Sequence, residues 1–146
     1  MTAKEYLTRY RDAYREAQDI ELQMTQLRLK YALPTAIKYS DMPKAHNTEH
    51  DLSDYMVKMD ALTDRLVKQY CRCMGIEVDI LDRIERMVVE SERERQVLKY
   101  RYTFIQDDGN LLKWEEVASK MNVVRMTATR IHGIALLHFP MDNLVL

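Results

Sequence analysis

Residues 114–136 read WEEVASKMNVVRMTATRIHGIAL, and this stretch decides the predicted fold of the C-terminal third. Ala118 is a small residue between larger apolar neighbours on a first helix, so a second helix can cross it closely. Asn122 lies where a tight turn needs the left-handed backbone conformation, which Asn tolerates better than most residues do. The pattern therefore predicts a helix-turn-helix formed by residues 113–121 and 124–137.

The predicted second helix has two chemically different faces, which follow from the step of about 100° per residue. The buried face is predicted to contain Val124, Ala128, Ile131 and Ala135. The opposite face contains Met126, Thr129, Arg130 and Gly133, with Arg125 and His132 on its flanks. No acidic residue occurs between Asn122 and Met141. A DNA major groove admits such a helix, since Arg can bind guanine and Thr or Met can contact the thymine methyl group.

Upstream of this motif, the first 32 residues predict one long amphipathic helix. It begins at a capping box formed by Thr2 and Glu5. Its apolar residues recur in steps of three and four, which is the period of a helix stripe. The stripe consists of Ala3, Leu7, Tyr10, Tyr14, Ala17, Ile20, Met24, Leu27 and Tyr31.

Residues 51–87 predict a second long helix, which begins near Asp51 or Ser53 and passes through Gly75 without a change of phase. Its stripe consists of Leu52, Tyr55, Met59, Leu62, Leu66, Tyr70, Cys73, Ile76, Ile80, Ile84 and Met87. The two helices, joined by a Pro-containing linker over residues 33–51, are predicted to form an antiparallel hairpin or coiled coil. Because each stripe is too wide for its partner to cover, we expect a homo-oligomer formed through residues 1–90.

The predicted fold class is all-α, with the helical hairpin in residues 1–90 and a small helix-turn-helix domain in residues 91–146. Ser91 and Glu94 form a second capping box, which predicts the start of a third helix. The run Asp-Asp-Gly-Asn at 107–110 predicts a turn before the helix-turn-helix. The composition agrees, because 47% of the 146 residues are hydrophobic, 31% are charged, and Gly and Pro number three each.

Charge and hydropathy limit the expected location and partners. The net charge of −1 gives no bulk attraction for nucleic acid, so double-stranded DNA would have to be bound by a local surface. No apolar run approaches the ~20 residues of a membrane span, and the charged N-terminus does not resemble a signal peptide. We therefore expect a cytoplasmic protein with no membrane partner.

Residue constellations that would support catalysis or cofactor binding are few. His46 and His50 have a zinc-compatible spacing, but they fall in the predicted linker, where a solvated loop is the favoured interpretation. Cys71 and Cys73 would point to different sides of a helix, which suits neither a disulfide nor a shared metal. There is no Gly-rich phosphate loop and no nucleophile with a neighbouring base. The sequence thus predicts no enzyme, no metal and no cofactor.

The segment 114–136 resembles the fourth conserved region of sigma factors. The wider chain, including KYSDMP at 38–43 and ERQVLKYRY at 94–102, resembles small sigma-like late-gene transcriptional regulators of Gram-positive phages and prophages, of the ArpU or RinA type. The resemblance implies control of phage or prophage genes, with host RNA polymerase as a possible partner. By position, it places Arg125, Met126, Thr129, Arg130 and Gly133 where such domains read bases, and Lys113 where they contact phosphate. Thr127 and His132 complete the candidate DNA-binding set.

Two other classes of protein fit the same features. A small phage packaging subunit, similar to a small terminase, also combines helical hairpins with a helix-turn-helix. A protein-interaction module that sequesters a host factor would need only the helices. A defined DNA motif would indicate the regulator, sequence-independent binding the packaging subunit, and no DNA binding the interaction module.

Overall fold

The computed structural model describes residues 1–32 and 48–141, with side chains described from residue 52 onward in the second segment. Within these residues the fold is all-helical, as predicted. None of the described helices is both long enough and apolar enough to cross a lipid bilayer. The five helices are α1 (Ala3–Ala32), α2 (Thr48–Glu85), α3 (Glu92–Tyr102), α4 (Trp114–Met121) and α5 (Arg125–His138).

Helices α1 and α2 form the predicted antiparallel hairpin. The capping box at the start of α1 is present: the Glu5 carboxylate accepts the Thr2 N–H at 2.7 Å, and the Thr2 hydroxyl accepts the Glu5 N–H at 3.2 Å. Gln69 donates a hydrogen bond from its side chain to the Ala13 carbonyl at 2.9 Å. At the far end of the hairpin, the rings of α1 residue 31 and α2 residue 55 lie 5.0 Å apart. Residue 13 of α1 thus contacts residue 69 of α2, whereas residue 31 contacts residue 55, so the two helices run in opposite directions.

Helix α2 differs from the prediction at its start and along part of its stripe. It begins at Thr48, so residues 48–51 of the predicted linker are helical; residues 33–47, with His46, and the His50 side chain lie outside the described residues. The helix passes through Gly75 without interruption, as predicted. Leu52, which was predicted to face α1, is 60% exposed. The physical reason is that the period of 3.6 slowly rotates a long stripe away from one partner.

A single buried cluster joins the hairpin to the C-terminal helices. The largest fully buried side chains are Tyr6 of α1 and Tyr102 of α3. The Tyr6 ring packs on Phe139, with ring centroids 5.7 Å apart, and its hydroxyl donates to Asp79. The apolar core is therefore continuous across the predicted boundary at residue 90. The cluster consists of Tyr6, Leu7, Ala13, Ala17, Cys73, Ile76, Ile80, Ile84, Met87, Val97, Leu98, Tyr102, Val117, Met121, Ala135 and Phe139.

The connection between α3 and α4 is held against α1. It contains the predicted turn, in which Gly109 has φ +77, and an isolated antiparallel bridge joins Ile105 to Leu111. Arg15 donates to the Gly109 carbonyl at 3.0 Å, and Gln18 donates to the Asp107 carbonyl at 2.7 Å. These bonds from α1 fix the loop, and so they fix where α4 begins.

Candidate nucleic-acid interface

Helices α4 and α5 are joined by a turn of the geometry that the sequence predicted. Val117 and Ala118 are buried on the inner face of α4. Asn122 ends the helix with φ 55 and ψ 42, which is the left-handed conformation, and it is the one non-glycine residue with positive φ in the described chain. The Val123 N–H then donates to the Ala118 carbonyl at 3.0 Å. The backbone therefore reverses within three residues and brings α5 across α4.

Neither helix of the motif has a side-chain N-cap. Lys113 precedes α4, and its N–H is accepted by the Glu116 carboxylate at 3.1 Å, as in the second half of a capping box. Val124 precedes α5 in an extended conformation and has no side-chain capping bond. It is 68% exposed, so the prediction that it lies on the buried face is wrong. The reason is that an N-cap residue stands outside the helix and does not follow its 100° step.

The outward face of α5 is exposed as predicted. Met126 is 83% exposed, and Thr129, Arg130 and Gly133 are exposed beside it, while Thr127 is half-buried. The Thr129 hydroxyl donates back to the helix, with the Met126 carbonyl oxygen 2.9 Å away. The Thr129 side chain is nevertheless exposed. A Cβ added at Gly133 would meet nothing within 4 Å, so neighbouring side chains do not explain why this position lacks one.

The two arginines of this helix differ in their partners. Arg125 forms an ion pair with Glu115 of α4, at 3.0 Å between Nη1 and Oε1, and both side chains are more than 60% exposed. Arg130 forms no ion pair with any residue in the described part of the chain. An exposed guanidinium with five free donors is suited to bidentate recognition of a planar acceptor. Arg130 is therefore the strongest candidate for a base contact.

His132 does not lie on the outward face, which corrects the predicted position on its flank. Its Nε2 is 2.8 Å from the Tyr102 hydroxyl, and its ring meets the Trp114 ring edge-on at 4.8 Å. The guanidinium of Arg101 covers the same tryptophan at 4.6 Å from the ring centroid. Burial, with the nearby positive charge of Arg101, lowers the pKa of His132 to about 4. A neutral His132 therefore joins α5 to α3 and α4.

Sequence reasoning missed two exposed apolar residues on the same side of α5. Ile134 and Leu137 are 37% and 84% exposed, and the 100° step that found Met126 would also have found Leu137. The C-terminal end of α5 is bound to α3, because His138 Nδ1 lies 2.6 Å from a carboxylate oxygen of the buried Glu94. The candidate surface thus extends over the full length of α5 and is fixed at both ends.

No family model, no curated protein and no solved structure matches this chain. The function must therefore be inferred from the surface itself. This surface has exposed donors, apolar groups and one ion pair. Nothing in its geometry brings a nucleophile and a base together.

Proposed function

We propose that this protein is a sequence-specific regulator of transcription that binds double-stranded DNA by inserting α5 into a major groove. The observation that carries the proposal is the exposed Arg130, which has no ion pair within the described residues, on a helix face without acidic residues. Arginine bound bidentately to guanine is the commonest specific contact in the major groove.

The neighbouring side chains have roles that follow from their exposure. Met126 and the Thr129 methyl group can contact thymine, since both are apolar surfaces directed away from the core. Gly133 lets the DNA backbone or a base approach the helix closely, because no side chain occupies that position. Lys113, at the N-terminus of α4, is suited to a phosphate, where the helix dipole also favours negative charge. Arg125 can leave Glu115 for a phosphate, since exposed ion pairs contribute only about 0–1 kcal/mol.

The resemblance to sigma-like regulators suggests which genes the protein controls and a second partner. It supports control of phage or prophage gene expression, with host RNA polymerase as a second partner. Two alternatives remain outcomes of the test: a packaging subunit that binds DNA without sequence preference, and an interaction module that does not bind DNA.

The test begins with selection of bound duplexes from a random library, followed by affinity measurements on the selected site and on a scrambled duplex. Arg130→Ala should weaken binding to the selected site by about 1–3 kcal/mol and relax the preference at one base pair. Lys113→Ala should weaken binding to both duplexes alike and reduce the slope of affinity against salt by about one unit. Arg65→Ala, an exposed arginine on α2, is the matched control and should bind as the wild type does.

Thermal unfolding separates a binding defect from a folding defect. All three substitutions should leave stability within about 0.5 kcal/mol of wild type, because the side chains are exposed. Wild-type affinity of Arg130→Ala for the selected site, or unfolding of that variant, would show that α5 does not read DNA through this face. Equal enrichment of all sequences would favour the packaging subunit instead.

A further inference from the structure

Helix α2 has a second apolar stripe that none of the other described helices covers. Seven large apolar side chains between residues 52 and 78 are from 37% to 66% exposed, and six of them lie on one side of the helix. These six are Leu52, Met56, Val67, Tyr70, Met74 and Val78. This set, called here the outer stripe, is separate from the residues that bury α2 against the core.

The outer stripe occupies one side of the helix. With a step of about 100° per residue, all six positions fall within an arc of about 80°. The buried residues Cys73, Ile76 and Ile80 lie about a third of a turn away. The stripe is about 39 Å long at 1.5 Å per residue, so it extends over most of α2.

Four of the six residues of the outer stripe form two pairs that are symmetric about residue 65. Residues 52 and 78 are equally far from it, residues 56 and 74 are equally far, and residue 67 has Thr63 as its mirror position. Two copies of α2 placed antiparallel, with a two-fold axis near residue 65, would therefore set Leu52 against Val78 and Met56 against Met74. A two-fold interface requires this property, because each residue and its partner must exchange places.

We infer that a second copy of this chain covers the outer stripe, through antiparallel pairing of the two α2 helices. The six side chains expose on the order of 600 Å² per copy, which is the upper limit of what monomers usually leave as one patch. A standard stable interface buries about 800 Å² per partner. The area therefore corresponds to a reversible dimer, and the mirror symmetry favours a second copy over an unrelated protein.

Polar residues that lie between the two outer stripes limit the stability of the inferred dimer. Thr63 stands opposite Val67 beside the axis, and Asp60 stands opposite Tyr70, whose hydroxyl donates to Glu21 of the same chain. An interface with such polar positions gains less free energy from burial than a fully apolar one. The polar positions instead fix the register of the two α2 helices. We expect dissociation constants of roughly 1–100 μM.

Two valines on α2 provide a matched test. Val67 lies in the outer stripe and is 57% exposed, whereas Val57 is 65% exposed and points outside the stripe. Val67→Glu should raise the dissociation constant of the dimer at least about tenfold, since it places a charge in an apolar contact. Val57→Glu should not change it. Thr63→Leu should lower it by a similar factor. Sedimentation velocity over a concentration series measures all three.

Cross-linking tests the direction of pairing. In a background with Cys71→Ser and Cys73→Ala, Met56→Cys together with Met74→Cys should give a disulfide-linked dimer on mild oxidation. Within one chain these positions are about 27 Å apart along the helix, so they cannot bridge each other. Met56→Cys alone should stay monomeric on a denaturing gel, whereas parallel pairing would cross-link it.

The outcomes are separable from those for DNA binding, because neither assay contains DNA. A wild-type chain that sediments as a monomer up to roughly 100 μM would overturn the inference. So would equal effects of Val67→Glu and Val57→Glu, or cross-linking of the Met56→Cys single variant.

Discussion

The two ends of the hairpin differ in how many elements surround them. Toward the C-terminal end of α2, five residues between Cys73 and Met87 are buried and contact the first turns of α1 together with α3. Between residues 52 and 72 of α2, no side chain is buried. The same helix is thus part of a core at one end and half of a two-helix arm at the other.

This difference indicates where stability and binding reside. A buried side chain in a core contacts many neighbours, and regions with few buried contacts open at lower free energy. The arm therefore contributes less to folding, and none of the other described helices covers its outer stripe. The core end holds α5 in place, so changes there should affect both stability and the proposed DNA-binding face.

The largest expected effect compares one tyrosine from each end. Tyr6 is fully buried, packs on Phe139 and lies under the guanidinium of Arg83 at 4.6 Å. Tyr6→Ala should lower the free energy of unfolding by about 3–5 kcal/mol, as for other large buried side chains. Tyr31→Ala, which removes the ring contact with Tyr55 in the arm, should cost about 1 kcal/mol. Urea unfolding followed by circular dichroism measures both. Equal losses would show that the arm is as firmly packed as the core.

An effect of intermediate size is expected on the loss of stability at acidic pH. The folded-state pKa of His132 is lowered to about 4 by burial, so the unfolded chain binds this proton first as the pH falls. The stability that depends on neutral His132 is present above its unfolded pKa of about 6.5 and is lost as the pH falls toward 4. His132→Gln should therefore remove part of the decrease in urea midpoint between pH 7 and pH 4.5.

His138 provides the internal control for that experiment. The hydrogen bond to Glu94 raises the pKa of His138, so its contribution is present at low pH and is lost as the pH rises through the folded value. Glu94→Gln should remove this alkaline loss and leave the acid loss unchanged. An identical acid profile for wild type and His132→Gln would contradict the role assigned to His132.

The smallest expected effect separates stability from binding at two helical glycines. A Cβ at Gly75 or at Gly133 would meet nothing within 4 Å. Each Gly→Ala change should therefore stabilise the protein by about 0.5–1 kcal/mol, by the difference in helix propensity. Gly133→Ala should nevertheless weaken DNA binding, because it adds a methyl group on the proposed contact face, whereas Gly75→Ala should not. Unchanged DNA affinity for Gly133→Ala would exclude close approach of DNA at this position.

Local rules allowed much of the fold to be predicted. The capping box at Thr2, the left-handed Asn122 and the unbroken helix at Gly75 each depend on a few neighbouring residues. The box predicted at Ser91 and Glu94 is only half correct: the Ser91 hydroxyl accepts the Arg93 N–H at 3.3 Å, but the buried Glu94 carboxylate lies against His138. Tyr6 was not predicted as a core residue, because its partners Asp79 and Phe139 are distant in sequence.

In the candidate site, too, the features set by local sequence were predicted and those set by distant residues were not. The outward positions of Met126, Thr129 and Arg130 follow from helical periodicity, and the structure agrees. The inward position of His132 depends on Tyr102 and Trp114, which belong to other helices, so periodicity alone misplaced it. What the face binds is a separate question, and it stays a prediction.

In the inferred dimer, the length of α2 would set the distance between the two copies of α5. From an axis near residue 65 to the end of the helix at Glu85 is about 20 residues, or about 30 Å. In the inferred dimer, the two ends of α2 would be about 60 Å apart, which equals the length of about 18 base pairs of DNA at 3.4 Å per pair. A rigid helix would fix this separation, so the protein could select pairs of DNA sites by their distance as well as by their sequence.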